Sequence, residues 1–356
     1  MNRKKYKSVQ KKGSRKRLTI KVSLLVALSL LLAVVVYGID LQRKAINAAD
    51  RAYEALDDRV KSDLREQAVE PIKDNVSILF VGVDESEKRS ASDTGSRSDA
   101  LLVATLNNKD KTVKLVSIPR DSYVYVPDRG RKDKITHAHA FGGVPGTIDT
   151  VEGMLDIPID YYVKMNFNAF IEVVDALGGI EAEVPYKLTE LDENDKLTVN
   201  LEPGIQELNG REALALSRTR KLDSDVERGK RQQMILQSIM KQAFTLKSIA
   251  KYGDVIDAVG DNMTTNMTFN EMKSFFEYAK GGMPDVETIN LEGADDMSTG
   301  IYYYMLDEEN LNNVKHDMQR HLEVAPSSSL VRDRDRPSNT NLNEAADDAD
   351  DTDYSN

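Results

Sequence analysis

The feature that most constrains the fold of this chain is an uncharged apolar run, Val22–Ile39, close to its N-terminus. A run of this length can cross the hydrocarbon core of a bilayer. The preceding residues, 1–21, contain many Lys and Arg residues and no acidic residue. Because basic residues mark the cytoplasmic side of a membrane span, we expect the N-terminus inside the cell and the chain beyond residue 40 outside it.

The residues that follow the run distinguish an anchor from other apolar segments. A cleaved signal peptide has a shorter apolar core with a small-residue cleavage site close behind it, whereas Asp40 and Leu41 follow this run directly. A buried helix of a globular domain would not need such unequal charged flanks. We therefore predict a single-pass, uncleaved signal anchor over 22–39 in the cell membrane, with a basic cytoplasmic segment over 1–21.

Composition divides the rest of the chain. Residues 40–74 are rich in Ala and charged residues and contain no Gly, which predicts a helical extracellular stalk. From residue 326 onward Ser, Asp, Arg and Asn greatly outnumber large apolar residues, which predicts a disordered acidic tail over 326–356. The remaining residues, 75–325, are of a length typical of one large α/β domain.

Composition also excludes several classes of function. The chain of 356 residues has no cysteine, which excludes disulfide frameworks, thiolate metal sites and cysteine nucleophiles. A basic N-terminus can indicate nucleic-acid binding, but this one adjoins the apolar run, and no recognition-helix or zinc-finger pattern is present. We therefore expect a lipid bilayer, and no nucleic acid, among the partners.

Three short apolar segments open the compact domain and are typical of buried strands: Val76–Val83, Ala100–Leu106 and Val113–Ile118. If the three strands are successively antiparallel, chain ends alternate between the two edges of the sheet. Four polar residues then meet at one edge, namely Asp84, Asp99, Arg120 and Asp121.

Two carboxylates at one strand edge suggest a metal site. Mg²⁺ is bound through one or two carboxylates while it keeps waters and takes further oxygens from substrate phosphates. Asp84 and Asp99 could supply those carboxylates. The alternative is that each is an ordinary strand-end turn residue, and their shared edge with Arg120 favours the metal site.

A second group of polar residues follows a predicted short helix, Gly210–Leu216, where Asp225 is the candidate N-cap of a longer helix. On that longer helix a single stripe continues from polar to apolar residues: Arg228, Gln232, Ile235 and Ile239. An arginine in line with an apolar face indicates a helix start that points into a polar pocket with an apolar wall. Helix N-termini also attract phosphate.

Arginine suits a phosphate site because its guanidinium donates two parallel hydrogen bonds and stays charged. The cluster comprises Arg218, Arg220, Arg228 and Arg231. The alternative is that these side chains form weak surface ion pairs with Asp223, Asp225 and Glu227. The inward stripe favours phosphate binding. Helical spacing also offers apolar faces on 148–155 and 167–177 for the pocket wall.

Several sequence motifs of this chain resemble those of a known protein family. In order and spacing, seven blocks resemble the LytR-CpsA-Psr family, and most of all its wall teichoic acid–peptidoglycan transferases of Gram-positive bacteria: VGVDES, RSDALLV, SIPRDSYV, DKITHAHAFGG, DYYVKMNFNAFIEVVDALGGI, LNGREALALSRTR and DSDVERGKRQQ. The resemblance covers residues 75–325. It implies an α/β fold with a central mixed sheet flanked by helices, and an apolar tunnel for a polyprenyl chain.

The resemblance also implies roles for individual residues. Mg²⁺, or Mn²⁺ in its place, would be held by Asp84 and Asp99, which together with Arg120 form the expected catalytic group. The pyrophosphate of the substrate would be bound by Arg120, Arg218, Arg220 and Arg228, with Gln232 nearby and with Arg97 and Asp121 from the same motifs. Thr136 stands where many relatives carry Asn, so substrate contacts of Lys134 and His137 are less firmly implied.

The activity that the resemblance implies is a transferase reaction on the outer face of the membrane. A peptidoglycan hydroxyl would attack the polymer-side phosphorus of a polyprenyl-pyrophosphate-linked glycopolymer, with wall teichoic acid as the expected polymer, and polyprenyl phosphate would leave. An Asp near the metal or a metal-activated hydroxyl could take the proton. No covalent nucleophile is needed, because positioning and charge neutralisation suffice.

Three alternatives stay open at the level of sequence. A hydrolase would use the same site with water as the acceptor, and a non-enzymatic envelope sensor or regulator would only bind the polymer. His137 and His139 could form a His-x-His zinc pair on one strand face, but the sequence offers no obvious third ligand.

Overall fold

A computed structural model of the chain describes residues 35–56, 59–83, 96–192, 198–219, 225–243, 260, 263–279 and 284–326. Its strands are β1 Val76–Val83, β2 Ser98–Asn107, β3 Thr112–Ile118, β4 Tyr123–Val126, β5 Arg131–Lys134, β6 Tyr161–Asn166, β7 Ile180–Val184, β8 Leu188–Leu191, β9 Thr198–Leu201, β10 Gly204–Leu208, β11 Met263–Thr265, β12 Asp285–Asn290, β13 Gly293–Asp296 and β14 Tyr303–Leu306. Its helices are α1 over 35–52, α2 Thr136–Leu155, α3 Phe167–Leu177, α4 Gly210–Arg218, α5 Asp225–Ala243, α6 Phe269–Ala279 and α7 Glu308–Leu322.

A six-stranded mixed sheet forms the centre, in the order β11-β6-β1-β2-β3-β12. β2 runs antiparallel to both β1 and β3, whereas β6 is parallel to β1 and β12 is parallel to β3. The three predicted strands therefore exist, and their predicted antiparallel order is confirmed. The predicted fold class, a central mixed sheet flanked by helices, is also confirmed.

Strand alternation gives the central sheet two different apolar faces. On β1, Leu79 and Val81 point into a core that α2 and α7 complete. Ile78 lies on the opposite face among residues of α6, and Phe80 contributes to apolar clusters that also contain residues of α5 and α6. The α5–α6 face is the one that carries the cavity described below.

A smaller apolar core lies beside the sheet. Helices α3, α4 and α5 form it together with strands of two hairpin-like pairs, β7–β10 and β8–β9. Gly210, the first residue of α4, lies so close to the backbone of Ile171 that a β-carbon there would collide with it. This close approach packs the start of α4 against α3.

The segment predicted as a helical stalk over 40–74 is helical only as far as residue 52. Leu56 is buried in the main core, and the Arg59 guanidinium and the Ser62 hydroxyl each donate a hydrogen bond of 2.6 Å to Glu152 Oε1. Burial raises the pKa of Glu152, although the contacts with Arg59 and Ser62 oppose that shift. For the described residues from 53 onward the prediction of a helix was wrong, because these contacts with the domain outweigh local helix propensity.

The predicted membrane anchor falls mostly outside the described residues. Only its last residues, 35–39, are described, and they begin α1. Among the described residues, no helix is both long and apolar enough to cross a membrane. The basic segment over 1–21 and the tail beyond residue 326 also lie outside the described part of the chain.

Candidate functional site

A cavity of about 440 Å³ opens between the central sheet and helices α3, α4 and α5. Its polar lining residues are Asp99, Arg120, Asn166, Ser217, Arg218, Arg228 and Gln232. Its apolar lining residues are Phe80, Val81, Leu102, Met165, Phe167, Phe170, Val173, Leu214, Ile235, Leu236 and Ile239. The cavity thus combines a cationic group of residues with an extensive apolar wall.

Asp99 and Arg120 meet at the predicted sheet edge. Arg120 Nη1 donates a hydrogen bond to Asp99 Oδ1 at 2.5 Å, and both side chains are about one-quarter exposed. The β1–β2 register shifts between Gly82 and Val83 so that Asp99 has no partner position on β1. Such a bulge re-aims a side chain, which explains how Asp99 reaches the cavity.

Asp121 lies behind Arg120 rather than in the cavity. It is only 5 % exposed and accepts hydrogen bonds or ion pairs from Arg120 Nε at 3.4 Å and Lys134 Nζ at 2.8 Å. A buried carboxylate in this position would repel a phosphate. Asp121 therefore holds Arg120 and Lys134 in place, and it is not among the described residues that line the cavity.

The predicted stripe on α5 faces the cavity along its length. Arg228 is only 4 % exposed, and it lines the cavity together with Gln232, Ile235 and Ile239. Gly229 makes this approach possible, because a β-carbon there would lie 2.6 Å from Ser117 Oγ on β3. The helix therefore contributes to both the charged and the apolar parts of the cavity.

Arg218 completes the described cationic group. It lies in the last turn of α4, and its guanidinium carbon lies 4.6 Å from the centre of the Phe167 ring. A cation over a ring face is attracted by the ring quadrupole, so Phe167 holds this guanidinium at the cavity. The sequence indicates Phe167 only as part of the apolar wall over 167–177, and its pairing with Arg218 has no signature in local spacing.

Arg231 has a structural role instead of the surface pairing considered above. Its side chain is buried and donates hydrogen bonds to the carbonyls of Leu216, at 3.1 Å from Nε, and Thr219, at 2.6 Å from Nη2. These carbonyls belong to the C-terminal end of α4, which would otherwise leave acceptors unsatisfied. Arg231 thereby fixes the residues on either side of Arg218.

Three other expected site residues are not placed in the cavity. Arg97 is exposed and is not among the residues that line it. Asp84 and Arg220 lie outside the described residues. Among the lining residues described here, Asp99 is the only carboxylate.

The histidine pair is not a strand-borne zinc site. His137 and His139 both lie in the first turns of α2, where residues two apart point in different directions. His137 Nδ1 lies 3.0 Å from Asp133 Oδ1, and His139 Nδ1 lies 2.7 Å from the Ser96 carbonyl oxygen. Burial alone would raise the pKa of Asp133. Hydrogen bonds from His137 and from the Lys134 backbone outweigh that effect, so the pKa of this carboxyl lies below its ordinary value.

The segment 148–155 does not contribute to the cavity wall as expected. Ile148, Val151 and Leu155 are fully buried in the core on the other face of the central sheet. The segment 167–177 does contribute to the wall, since Phe167, Phe170 and Val173 line the cavity. Apolar helical spacing shows that a face is buried, and the sheet topology decides which face of the sheet it covers.

A divalent metal ion would find a partial set of ligands here. In the described part of the chain no group of three or more His, Asp or Glu side chains could enclose one. Among the described residues that line the cavity, Asp99 alone offers a carboxylate. That donor set fits Mg²⁺, which is bound through one or two carboxylates with substrate phosphates and water completing its shell.

Comparison with known proteins gives a consistent result. The model of the LytR_cpsA_psr family matches residues 40–320. The chain is 41 % identical over 283 residues to the polyisoprenyl-teichoic acid–peptidoglycan teichoic acid transferase TagT of Bacillus subtilis (strain 168), covering 79 % of this chain and 87 % of that protein.

Two solved structures show the same fold. One is described as TagT bound to LIIa-WTA, with a TM-score of 0.64, 38 % identity, and coverage of 76 % of this chain and 99 % of that one. The other is described as the LytR-CPS2A-psr family protein YwtF (TagT) with bound octaprenyl pyrophosphate lipid. Its TM-score is 0.60 and its identity 36 %, with coverage of 76 % of this chain and all of that one.

Proposed function

The chain belongs to the LytR-CpsA-Psr family, and we propose that it is a transferase that moves an anionic cell-wall glycopolymer from a polyprenyl-pyrophosphate carrier to a peptidoglycan hydroxyl. The family's named relatives act on teichoic acid, and a similar structure binds octaprenyl pyrophosphate. Wall teichoic acid is therefore the polymer we propose for this chain, joined to peptidoglycan through a phosphodiester.

The observation that carries this proposal is the composition of the cavity described above. Arg120, Arg218 and Arg228 bring three cationic groups to a space whose remaining wall is largely apolar. A lipid pyrophosphate has the same two parts, since its phosphates need charge neutralisation and its prenyl chain needs an apolar surface. A water-soluble phosphate substrate would leave the apolar wall without a role.

The reaction proceeds by direct displacement at phosphorus. The peptidoglycan oxygen forms a bond to the polymer-side phosphorus, the bond from that phosphorus to polyprenyl phosphate breaks, and the hydroxyl proton passes to a base. Arg120, Arg218 and Arg228 hold the pyrophosphate oxygens and stabilise the negative charge that develops on them.

We also propose Mg²⁺, or Mn²⁺ in its place, as the cofactor. Asp99 would hold it, with Asp84 as the second carboxylate that the family resemblance implies. When bound, such an ion would neutralise phosphate charge and polarise the phosphorus–oxygen bonds. The proposal is supported by the donor chemistry of Asp99 beside three guanidinium groups.

The proposed location is the outer face of the cell membrane. The apolar run over 22–39 would anchor the chain, with the N-terminus in the cytoplasm and the catalytic domain outside. Both proposed substrates are found at that face, so a tether would raise their effective concentration at the cavity. The membrane bilayer and peptidoglycan are therefore the proposed partners.

The test is to incubate the full-length protein in detergent micelles with a lipid-linked polymer, peptidoglycan oligomers and Mg²⁺, and to identify the products by mass spectrometry. Polymer joined to glycan through a phosphodiester supports the transferase. Free polymer phosphate would instead identify a hydrolase. Recovery of both substrates unchanged, with polymer bound, would favour the non-enzymatic sensor.

A further inference from the structure

A two-stranded ribbon beside the cavity presents an unusual outer face. β4 and β5 pair so that Tyr123 stands opposite Lys134 and Tyr125 opposite Lys132. Alternate residues of a strand share one face, so these four side chains lie together. The intervening residues Val124 and Val126 are buried on the opposite face. We call the four residues Tyr123, Tyr125, Lys132 and Lys134 the outer face of the ribbon.

Aromatic contacts hold this outer face in one arrangement. The ring centres of Tyr123 and Tyr303 lie 4.7 Å apart, and Lys132 Nζ lies 5.8 Å from the centre of the Tyr123 ring. Lys134 Nζ lies 5.6 Å from the ring centre of Tyr302. Tyr125, at the far end of the ribbon, is 56 % exposed. Tyr125 and Lys132 are therefore the exposed part of the outer face, whereas Tyr123 and Lys134 are partly covered by Tyr302 and Tyr303.

Short contacts connect the outer face to the catalytic edge of the sheet. Lys134 Nζ lies 2.8 Å from Asp121 Oδ1, and Asp121 Oδ2 contacts Arg120 Nε. The backbone N–H of Tyr304 also donates to the Asp121 carbonyl oxygen at 2.9 Å. Asp121 and Lys134 do not line the cavity, whereas Arg120 does. The outer face thus adjoins Arg120 on the side away from the apolar lining.

We propose, on the basis of the function proposed above, that this outer face binds the glycan strand of the peptidoglycan acceptor. In-line displacement at phosphorus requires the acceptor to approach from the side opposite the leaving group. The leaving polyprenyl phosphate occupies the apolar cavity, so the acceptor arrives from the side of Arg120 on which the ribbon lies. The C–H faces of pyranose rings pack on tyrosine rings, and Lys132 can pair with carboxylates of the peptidoglycan.

The same face suits the donor polymer less well. A flexible polyol-phosphate chain has few flat faces to stack on rings, and it would need several cations directed at its phosphates. Lys134 is already engaged with Asp121, which leaves the face with more aromatic surface than available positive charge.

The test uses the full-length protein and separates the acceptor from the donor. Steady-state transfer gives KM for peptidoglycan oligomers and KM for the lipid donor, and equilibrium binding of glycan oligomers gives a readout that needs no turnover. We expect Tyr125→Ala to weaken both acceptor measurements by about fivefold, because an aromatic contact is lost. Tyr125→Phe keeps the ring and should stay near wild type, while the donor KM should not change in either variant.

Ile205→Ala is the matched control, because Ile205 is 72 % exposed on β10 and lies outside the outer face. It should leave glycan binding unchanged. Unaltered glycan binding and acceptor KM in Tyr125→Ala would overturn the inference. A rise in donor KM alone would also overturn it and would assign the face to the donor polymer. If the wild-type protein bound glycan but transferred nothing, and Tyr125→Ala lost that binding, the result would support the inference. It would contradict only the proposed transferase function.

Discussion

Arg120 Nη1 donates a hydrogen bond of 2.5 Å to Asp99 Oδ1 at the edge of the central sheet, where both side chains line the cavity. The guanidinium and the carboxylate balance each other's charge at the cavity. A bound pyrophosphate would compete with Asp99 for the Arg120 guanidinium and would leave the carboxylate available for a cation. The same contact therefore links the anion-binding and metal-binding parts of the proposed site.

Asp99→Asn should separate binding from turnover. The amide keeps the size of the side chain and can still contact Arg120, but it loses the charge that favours a divalent cation. We expect transfer to fall about a hundredfold or more while lipid pyrophosphate binding persists. Measurements of turnover against Mg²⁺ concentration and of lipid affinity test this. Asp63→Asn, at an exposed position, is the control, and wild-type turnover in Asp99→Asn would contradict the assignment.

Arg228→Lys should be nearly as impaired as Arg228→Ala. Lysine keeps the charge but loses the planar fork that binds two phosphate oxygens, and Arg228 is deeply buried at the cavity. We expect lipid pyrophosphate affinity to fall by about 2 kcal/mol or more, or at least about thirtyfold. Excess Mg²⁺ should not restore it. Lys230→Ala, on the exposed side of the same helix, should bind normally. Near-wild-type affinity in Arg228→Lys would show that the residue supplies only diffuse charge.

Ile239→Asp should discriminate between lipids of different length. Ile239 lines the apolar wall, so a carboxylate there should weaken binding of a long prenyl pyrophosphate by about tenfold or more. A short prenyl pyrophosphate should bind almost as before. Ile205→Asp introduces the same charge on an exposed strand and serves as the control. Equal loss for both lipids, with an unchanged melting temperature, would contradict an apolar wall that holds the prenyl chain.

Arg59→Ala should destabilise the domain even though residue 59 lies in the segment predicted as a stalk. Its guanidinium contacts the largely buried Glu152 at 2.6 Å, and losing a hydrogen bond to a buried charge costs about 2 kcal/mol. Lys73→Ala removes an exposed ion pair with Glu70 in the same segment and should leave the free energy of unfolding close to wild type. Urea denaturation measures both. If the two variants were equally stable, the segment would not be part of the domain.

The sequence predicts three of the six strands of the central sheet, because apolar runs, turns and strand alternation are local properties. They fix three strands, their order, and the edge where Asp99 and Arg120 meet. The bulge that turns Asp99 toward the cavity depends on pairing with Gly82 and Val83, and no local pattern indicates it. The stripe from Arg228 to Ile239 is likewise visible because helical spacing alone defines it.

The remaining differences come from tertiary contacts. Residues 53–74 have helical composition. Leu56 nevertheless packs in the core, and Arg59 donates a hydrogen bond to Glu152. Asp121 shares a motif with Arg120, but only the structure shows that its carboxylate is buried against Lys134. Phe167 and Arg218 are far apart in the sequence, so no periodic pattern could predict their contact.

The most direct test of the proposed reaction is to run it in H₂¹⁸O with the full-length protein, a lipid-linked polymer, peptidoglycan oligomers and Mg²⁺, and to measure ¹⁸O in the products by mass spectrometry. If a peptidoglycan hydroxyl attacks the polymer-side phosphorus, the phosphodiester product and the released polyprenyl phosphate should both contain no ¹⁸O. Polymer phosphate that carries ¹⁸O, with no polymer joined to glycan, would show that water is the acceptor and would contradict the transferase.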